Sequence, residues 1–352
     1  MISLLAMKIP KQLNVIRRRV MRSLTKNIGT SDAAVKQGKD VTIKKILISR
    51  PNHRLGNLLL LSPIVQEVID TFPNAKIDLF VKGSISPIIF KNYENIDRII
   101  QLPKKPFSNL LKYIKGWSLL RWTKYDLVIN TSHSSSSGKL STQLANAEYK
   151  FFNEWSDELH SKYPDYPHAA KNAIYNLRQF LTLLRVQENI RKIPYLSIKL
   201  DKNEIEAGKI KLNEIIKNDK KTICLFTNAT GDKCYSKDWW TSFHENLQSA
   251  FPDYNIIELL PVENISRLDF KIPSFYSTDI REMGSFIANT SVFIAADNGV
   301  MHLSSAVGTP TIGLFAVTDE NAYKPYNEKS FSINTNNVDE HQMMDLIKTV
   351  LN

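Results

Sequence analysis

From Lys45 to the end of the chain, short apolar runs alternate with longer stretches whose apolar residues return every three or four positions. Short runs bounded by polar clusters read as buried strands, and the longer period reads as helix. The predicted strands of the first half are Lys45–Ser49, Lys76–Val81, Asp97–Leu102 and Asp126–Asn130. Asn57–Phe72 is a predicted helix with Leu58, Leu61, Val65, Val68 and Ile69 inward. A single helix over 166–186, with Leu177, Phe180, Leu181 and Leu184 apolar, is expected to bridge two halves. Thr222–Thr227, Tyr254–Leu259, Val292–Ala296 and Thr311–Phe315 are the strands of the second half, and Val338–Leu351 is a closing helix. This alternation predicts an α/β fold of parallel, doubly wound sheets, with ligands at the carboxyl ends of the strands. The expected divisions are an arm and linker (1–43), a first domain (44–165), a connecting helix and linker (166–200), a second domain (201–337) and the closing helix (338–352).

The stretch 292–316 carries the strongest local pattern. A buried strand ends at Ala296, and Asp297, Asn298 and Gly299 break it. A helix is predicted from Val300 to Val307, and Gly308, Thr309 and Pro310 stop it before the next strand. Small residues at this turn let backbone N–H groups at the helix N-terminus face a phosphate, where the orphan donors and the helix dipole both point. A tight turn that binds nothing has the same pattern. Gly299 is expected to resist a bulky residue, because a side chain there would block the phosphate. Two further loops follow strands, Arg50–Gly56 and Thr131–Gly138.

Composition narrows the class. A chain of 352 residues with 43% hydrophobic residues suits two ordinary domains, and no apolar run reaches the roughly 20 residues of a membrane span. Cys224 and Cys234 have no metal-ligand spacing, and a reducing, cytoplasmic setting is expected. The net charge of +11 is uneven: residues 1–45 hold eleven Lys or Arg against Asp32 and Asp40. Within that arm, Ile9, Leu13, Ile16, Val20 and Leu24 recur at helical spacing, with Arg17, Arg18, Arg22 and Lys26 largely off the stripe. Such a basic amphipathic helix over 9–28 suits an anionic membrane surface. A terminal helix packed on its own domain is the plainer reading. Residues 104–125 contain six basic residues and no acid, interleaved with Phe107, Tyr113, Trp117, Trp122 and Tyr125. They suit an anionic amphiphile or nucleic acid, or else a surface helix with a buried aromatic face. No established nucleic-acid motif appears, and no nucleic-acid partner is expected.

Several stretches together resemble one family. Asp297-Asn298-Gly299-Val300-Met301-His302 followed by Gly308-Thr309-Pro310 resembles the D-x-G-x-x-H…G-T-P signature of glycosyltransferase family 9, the lipopolysaccharide heptosyltransferases. Thr318-Asp319 and Pro325-Tyr326 are similar to its next turn. Ile46-Leu47-Ile48 through Arg54-Leu55-Gly56-Asn57, with Ser62-Pro63 and Phe72-Pro73, resembles its first βα unit. Asn228-Ala229-Thr230 with Lys233 and Trp239-Trp240 resembles its phosphate-binding segment. The resemblance spans about residues 44–330 and implies the GT-B fold, two Rossmann-like domains facing a cleft. It implies inverting, metal-independent transfer of a sugar, typically from ADP-heptose, to a lipid-linked lipopolysaccharide core on the inner face of the bacterial inner membrane. The nucleotide sugar is then a substrate, and no cofactor is expected.

The chain has no Asp-x-Asp, so the leaving diphosphate needs another neutralising group. The Asn298–Val300 amides and Lys233 are candidates, with Thr230, Asp297 and His302 beside them. Lys233 also reads as an exposed lysine, and His302 as a packed structural histidine. By resemblance an acid after the Tyr254–Leu259 strand holds the ribose. Glu263 suits this better than Glu258, which is expected to face solvent from within the strand. Acceptor contacts are expected from Arg50, Arg54, Ser134, Lys112 and Arg121. One departure stands out: the family's general base, an Asp after the loop glycine, is Asn57 here. An amide cannot take a proton at neutral pH, so Asn57 is left to cap its helix. His53 in the same loop, a carboxylate elsewhere, or binding without transfer are the alternatives, and His53 is preferred. Two other functions fit the same pattern: a non-catalytic nucleotide-sugar-binding protein and a nucleotide-sugar epimerase of GT-B fold.

Overall fold

The computed structural model describes residues 41–105 and 109–351, with Ser23, Ile28 and Gly29. The amphipathic helix expected over 9–28, and so its membrane reading, lies outside the described residues. Five parallel strands form the first sheet: β1 (Lys45–Arg50), β2 (Lys76–Lys82), β3 (Ile96–Leu102), β4 (Lys124–Asn130) and β5 (Asn146–Phe152), in the order β3-β2-β1-β4-β5. Six parallel strands form the second: β6 (Thr222–Phe226), β7 (Asn255–Leu260), β8 (Ser274–Tyr276), β9 (Val292–Ala296), β10 (Thr311–Phe315) and β11 (Phe331–Asn334), in the order β11-β10-β9-β6-β7-β8. Every predicted strand is present. The strands that the pattern did not announce, β5, β8 and β11, are sheet edges. An edge strand has one partner and can stay short or polar, as β8 (SFY) and β5 (NAEYKFF) do.

Two predicted helices are shorter than expected. Asn57–Phe72 is in fact two, Leu55–Leu59 and Ser62–Thr71. Pro63 brings no N–H to the break, and the Ser62 hydroxyl donates to the Leu59 carbonyl at 2.7 Å instead. The 166–186 stretch is helical only over Asn172–Leu183. That helix packs on the first half, where Arg178 grips the buried Glu67 through two 2.7 Å hydrogen bonds. The turn before it reaches the second half, with the Ala169 N–H donating to the Ala322 carbonyl at 2.9 Å.

One apolar cluster runs through both halves, from Ile46, Ile48 and Leu79 through Leu196 and Ile198 to Phe286 and Leu303. Arg281 fastens this junction. Its guanidinium makes two 2.6 Å bonds to Glu204 and donates to the carbonyls of Ile88, Ile198 and Lys199. The hydrogen bonds from Arg281 hold the Glu204 carboxyl down to about 2. Because that folded value is depressed, Glu204 adds its stability above its unfolded pKa of about 4.3 and loses it as pH falls toward the folded value. Arg281→Met is expected to lower the unfolding free energy by about 1–3 kcal/mol, since it leaves three carbonyls without their donor and Glu204 with only Lys91 and the Asp201 N–H. It should also flatten the loss of stability between about pH 4.3 and 2. Urea titrations across that range check both, and an unchanged midpoint at neutral pH would overturn the assignment.

Candidate active site

The carboxyl edges of the two sheets face each other, and the candidate residues stand on the loops between. Behind the fully buried β9, Asp297 is buried and accepts from Lys233 Nζ at 2.6 Å and from Thr318 Oγ1 at 2.9 Å. Lys233 comes from a short 3-10 turn, Gly231–Lys233, after β6. Its side chain remains about one-third exposed, so the ammonium is held from below and open to the cleft. His302 Nε2 stands 4.0 Å from the other Asp297 oxygen. Burial pulls its imidazole well below the usual range, with Lys233 adding to the effect, so it is neutral at pH 7.

Asn298 caps the Gly299–Ala306 helix. Its Oδ1 accepts from the N–H groups of Val300 and Met301 at 2.7 and 2.9 Å, and its Nδ2 donates to the Asn228 carbonyl. This corrects one expectation: the Val300 amide is already taken by the cap and does not serve a phosphate. Gly299 is small for a different reason from the one expected. A Cβ there would stand 3.1 Å from Leu55 Cβ and 3.2 Å from the Gly56 nitrogen. A Cβ on Gly56 would stand 2.9 Å from His302 Cδ2. The two glycines let the loops of the two halves approach closely across the cleft.

On the facing side, Arg50 ends β1 and donates through Nη2 to Asn57 Oδ1 at 3.0 Å. Asn57 therefore does not cap its helix; Arg54 holds the N-cap position, without a side-chain bond. Burial lowers the Arg50 pKa, Tyr323 opposes the shift, and among the described residues no carboxylate pairs with it. His53 is exposed at the loop, beside Gly83 and close to Lys104. Burial first, then Lys82, Lys104 and Arg54, hold its pKa below the ordinary value. Arg54 and Ser134 are exposed on their loops. Thr230 is exposed where the Lys233 turn begins.

Residues 275–349 match the family described as glycosyltransferase family 9 (heptosyltransferase). The chain is 23% identical over 302 residues to lipopolysaccharide heptosyltransferase 3 of Escherichia coli, covering 77% of this chain and 83% of that protein. It superposes on a glycosyl transferase family 9 structure from Veillonella parvula with a TM-score of 0.68 at 16% identity, over 89% of this chain and 98% of that one. On E. coli ADP-heptose lps heptosyltransferase II the TM-score is 0.62 at 12% identity, over 88% and 98% of the two chains. The chain is thus similar to glycosyltransferase family 9 over its carboxyl-terminal part and to lipopolysaccharide heptosyltransferases over most of its length. It is a glycosyltransferase with the GT-B fold, two parallel α/β sheets around a cleft.

The family pattern gains detail from the structure. Trp239 and Trp240, of the stretch that resembles the family's phosphate-binding segment, are packing residues: Trp240 is fully buried, and Trp239 stacks on Tyr235 and Phe243. Glu258 does not face solvent. It is fully buried and accepts from Thr227 and Ser266, fixing the ends of β6 and of the loop after β7. Glu263 is exposed on that loop, at the carboxyl edge of the sheet. Lys112 and Arg121 lie on the exposed side of the Leu110–Trp122 helix. Two site residues escaped the sequence reading. Tyr323 stands near both His302, with ring centres 6.5 Å apart, and Arg50. His133, on the loop after β4, lies beside Arg50. Neither has a local motif; only the pairing of the two halves brings them there.

Proposed function

We propose that this chain transfers a heptose, with inversion, from ADP-heptose to a lipopolysaccharide core acceptor. The observation that carries the reading is the Lys233 ammonium, held by the buried Asp297 at 2.6 Å before the Gly299–Ala306 helix and facing the Arg50–Asn57 loop. A cation fixed beside a helix N-terminus stabilises the charge that grows on a departing diphosphate, and does so without a metal ion. The Asn298 and Gly299 amides, Thr230 and the neutral His302 line the same donor pocket, and Glu263 reaches the ribose. Asp297 is a positioning residue, because its Oδ2 accepts from both Lys233 and Thr318. Arg50, a cation that pairs with the Asn57 amide and with no carboxylate among the described residues, meets an anionic group of the acceptor, with Arg54 and Ser134 at the loop edges. His53 takes the acceptor proton. The basic arm, residues 1–40, holds the protein on the anionic inner face of the inner membrane.

Incubating the protein with ADP-heptose and a heptose-deficient core oligosaccharide tests this. Mass spectrometry should show an acceptor heavier by one heptose, with ADP released only when acceptor is present. Donor bound tightly with no product would leave a binding protein, and donor turnover without acceptor would leave an epimerase.

A further inference from the structure

The Leu110–Trp122 helix packs on the first sheet by one side only. Gly116 and Leu120 are buried, and Trp117 meets Phe80 edge-on with ring centres 5.3 Å apart. A Cβ on Gly116 would lie 2.6 Å from Leu102 Cδ2, so this contact is tight. The aromatic face expected from the sequence is thus divided: Tyr113 and Trp117 turn inward, and Trp122 does not. The outer side of a solvated helix is ordinarily polar. Here Leu111, Ile114 and Trp122 follow at helical spacing, exposed by 84%, 52% and 77%. Lys112, Lys115 and Arg121 are exposed on the same helix, Lys104 and Lys105 precede it, and Lys124 follows. No acid occurs between residues 104 and 125.

We infer that this helix face is a docking surface for an anionic lipid bilayer, separate from the N-terminal arm. Lysine and arginine reach lipid phosphates while aliphatic side chains and a tryptophan enter the interface between headgroups and acyl chains. Charge decides among occupants. A second copy of this face would set cations against cations, whereas an anionic bilayer complements them. Nucleic acid would leave Leu111 and Ile114 against phosphates. The basic stretch ahead of the helix touches the acceptor loop: Lys104 and His53 both lie against Gly83. Docking there brings the mouth of the cleft to the headgroup layer.

Trp122 supplies its own reporter. The arm contains no tryptophan, Trp240 is fully buried, and Trp117 and Trp239 are half-buried with their rings against Phe80 and Tyr235. The full chain is mixed at low salt with vesicles of equal parts phosphatidylglycerol and phosphatidylcholine carrying brominated acyl chains, which quench tryptophan on contact. Quenching is expected in the wild type, is lost in Trp122→Phe, and survives in Trp155→Phe. Leu111→Ser/Ile114→Ser should weaken vesicle binding by roughly tenfold or more, with an unchanged circular-dichroism melt. Added salt should weaken it further. Equal quenching in Trp122→Phe and wild type, or vesicle binding without quenching, would overturn the proposal and leave the arm as the contact. A fall in molecular mass of the double variant would show a buried self-interface instead. An oligonucleotide that displaces the vesicles and binds through Leu111 and Ile114 would equally end it.

Discussion

Turnover of the His53→Ala variant is expected to fall by about 10²–10⁴-fold, the range a positioned general base supplies, with ADP affinity little changed. The acceptor hydroxyl must lose its proton as it attacks the sugar. Asn57 cannot accept it, and its oxygen is already engaged by Arg50 at 3.0 Å. His53 is on the same loop, and burial with the nearby Lys82, Lys104 and Arg54 keeps it below its ordinary pKa of 6.5. A depressed value leaves the imidazole neutral, and therefore able to accept a proton, at pH 7. The ascending limb of the wild-type pH–rate profile should lie on the acid side of 6.5 and disappear in His53→Ala. Asn57→Asp in the His53→Ala background should recover part of the activity by restoring the family's carboxylate, though the pairing with Arg50 would weaken it as a base. Full activity with an unchanged profile in His53→Ala would remove His53 from the reaction and pass the proton to His133, which lies beside Arg50.

Lys233→Ala should weaken ADP binding by roughly 1.5–3 kcal/mol, the scale of a hydrogen bond to a charged group. The ammonium is fastened at the head of the Gly299–Ala306 helix, and its salt bridge to Asp297 spans 64 residues of chain. Removing it strips the buried Asp297 of its cation but leaves the 2.9 Å bond from Thr318, so the fold should persist. Isothermal calorimetry on the folded variant measures the loss. Asp297→Asn separates holding from binding: it keeps an acceptor for Thr318 but frees Lys233, and it should weaken ADP by less than Lys233→Ala does. Unchanged ADP affinity in Lys233→Ala would make Lys233 a surface lysine whose partner is only Asp297.

Much of this was legible in the sequence because it is local. The central strands β1, β6, β9 and β10 are apolar runs, and burial on both faces of a parallel sheet needs no more than that. The turn at Gly308, with φ of +84°, is written in a single residue whose backbone freedom fits one role. The tertiary structure decided what depends on distant partners. Glu258 reads as a solvent-facing strand residue until Thr227 and Ser266 close over it. Gly299 reads as a spacer for a phosphate, yet Gly56 and Gly299 are held small by the close approach of the two halves. Arg50 and Asn57 have local meanings, a basic loop and a cap, that their contact replaces. Periodicity reports which side of an element is apolar, but not what, if anything, covers it. The Leu110–Trp122 helix is apolar on two sides, and only the packed sheet shows which side the protein itself uses.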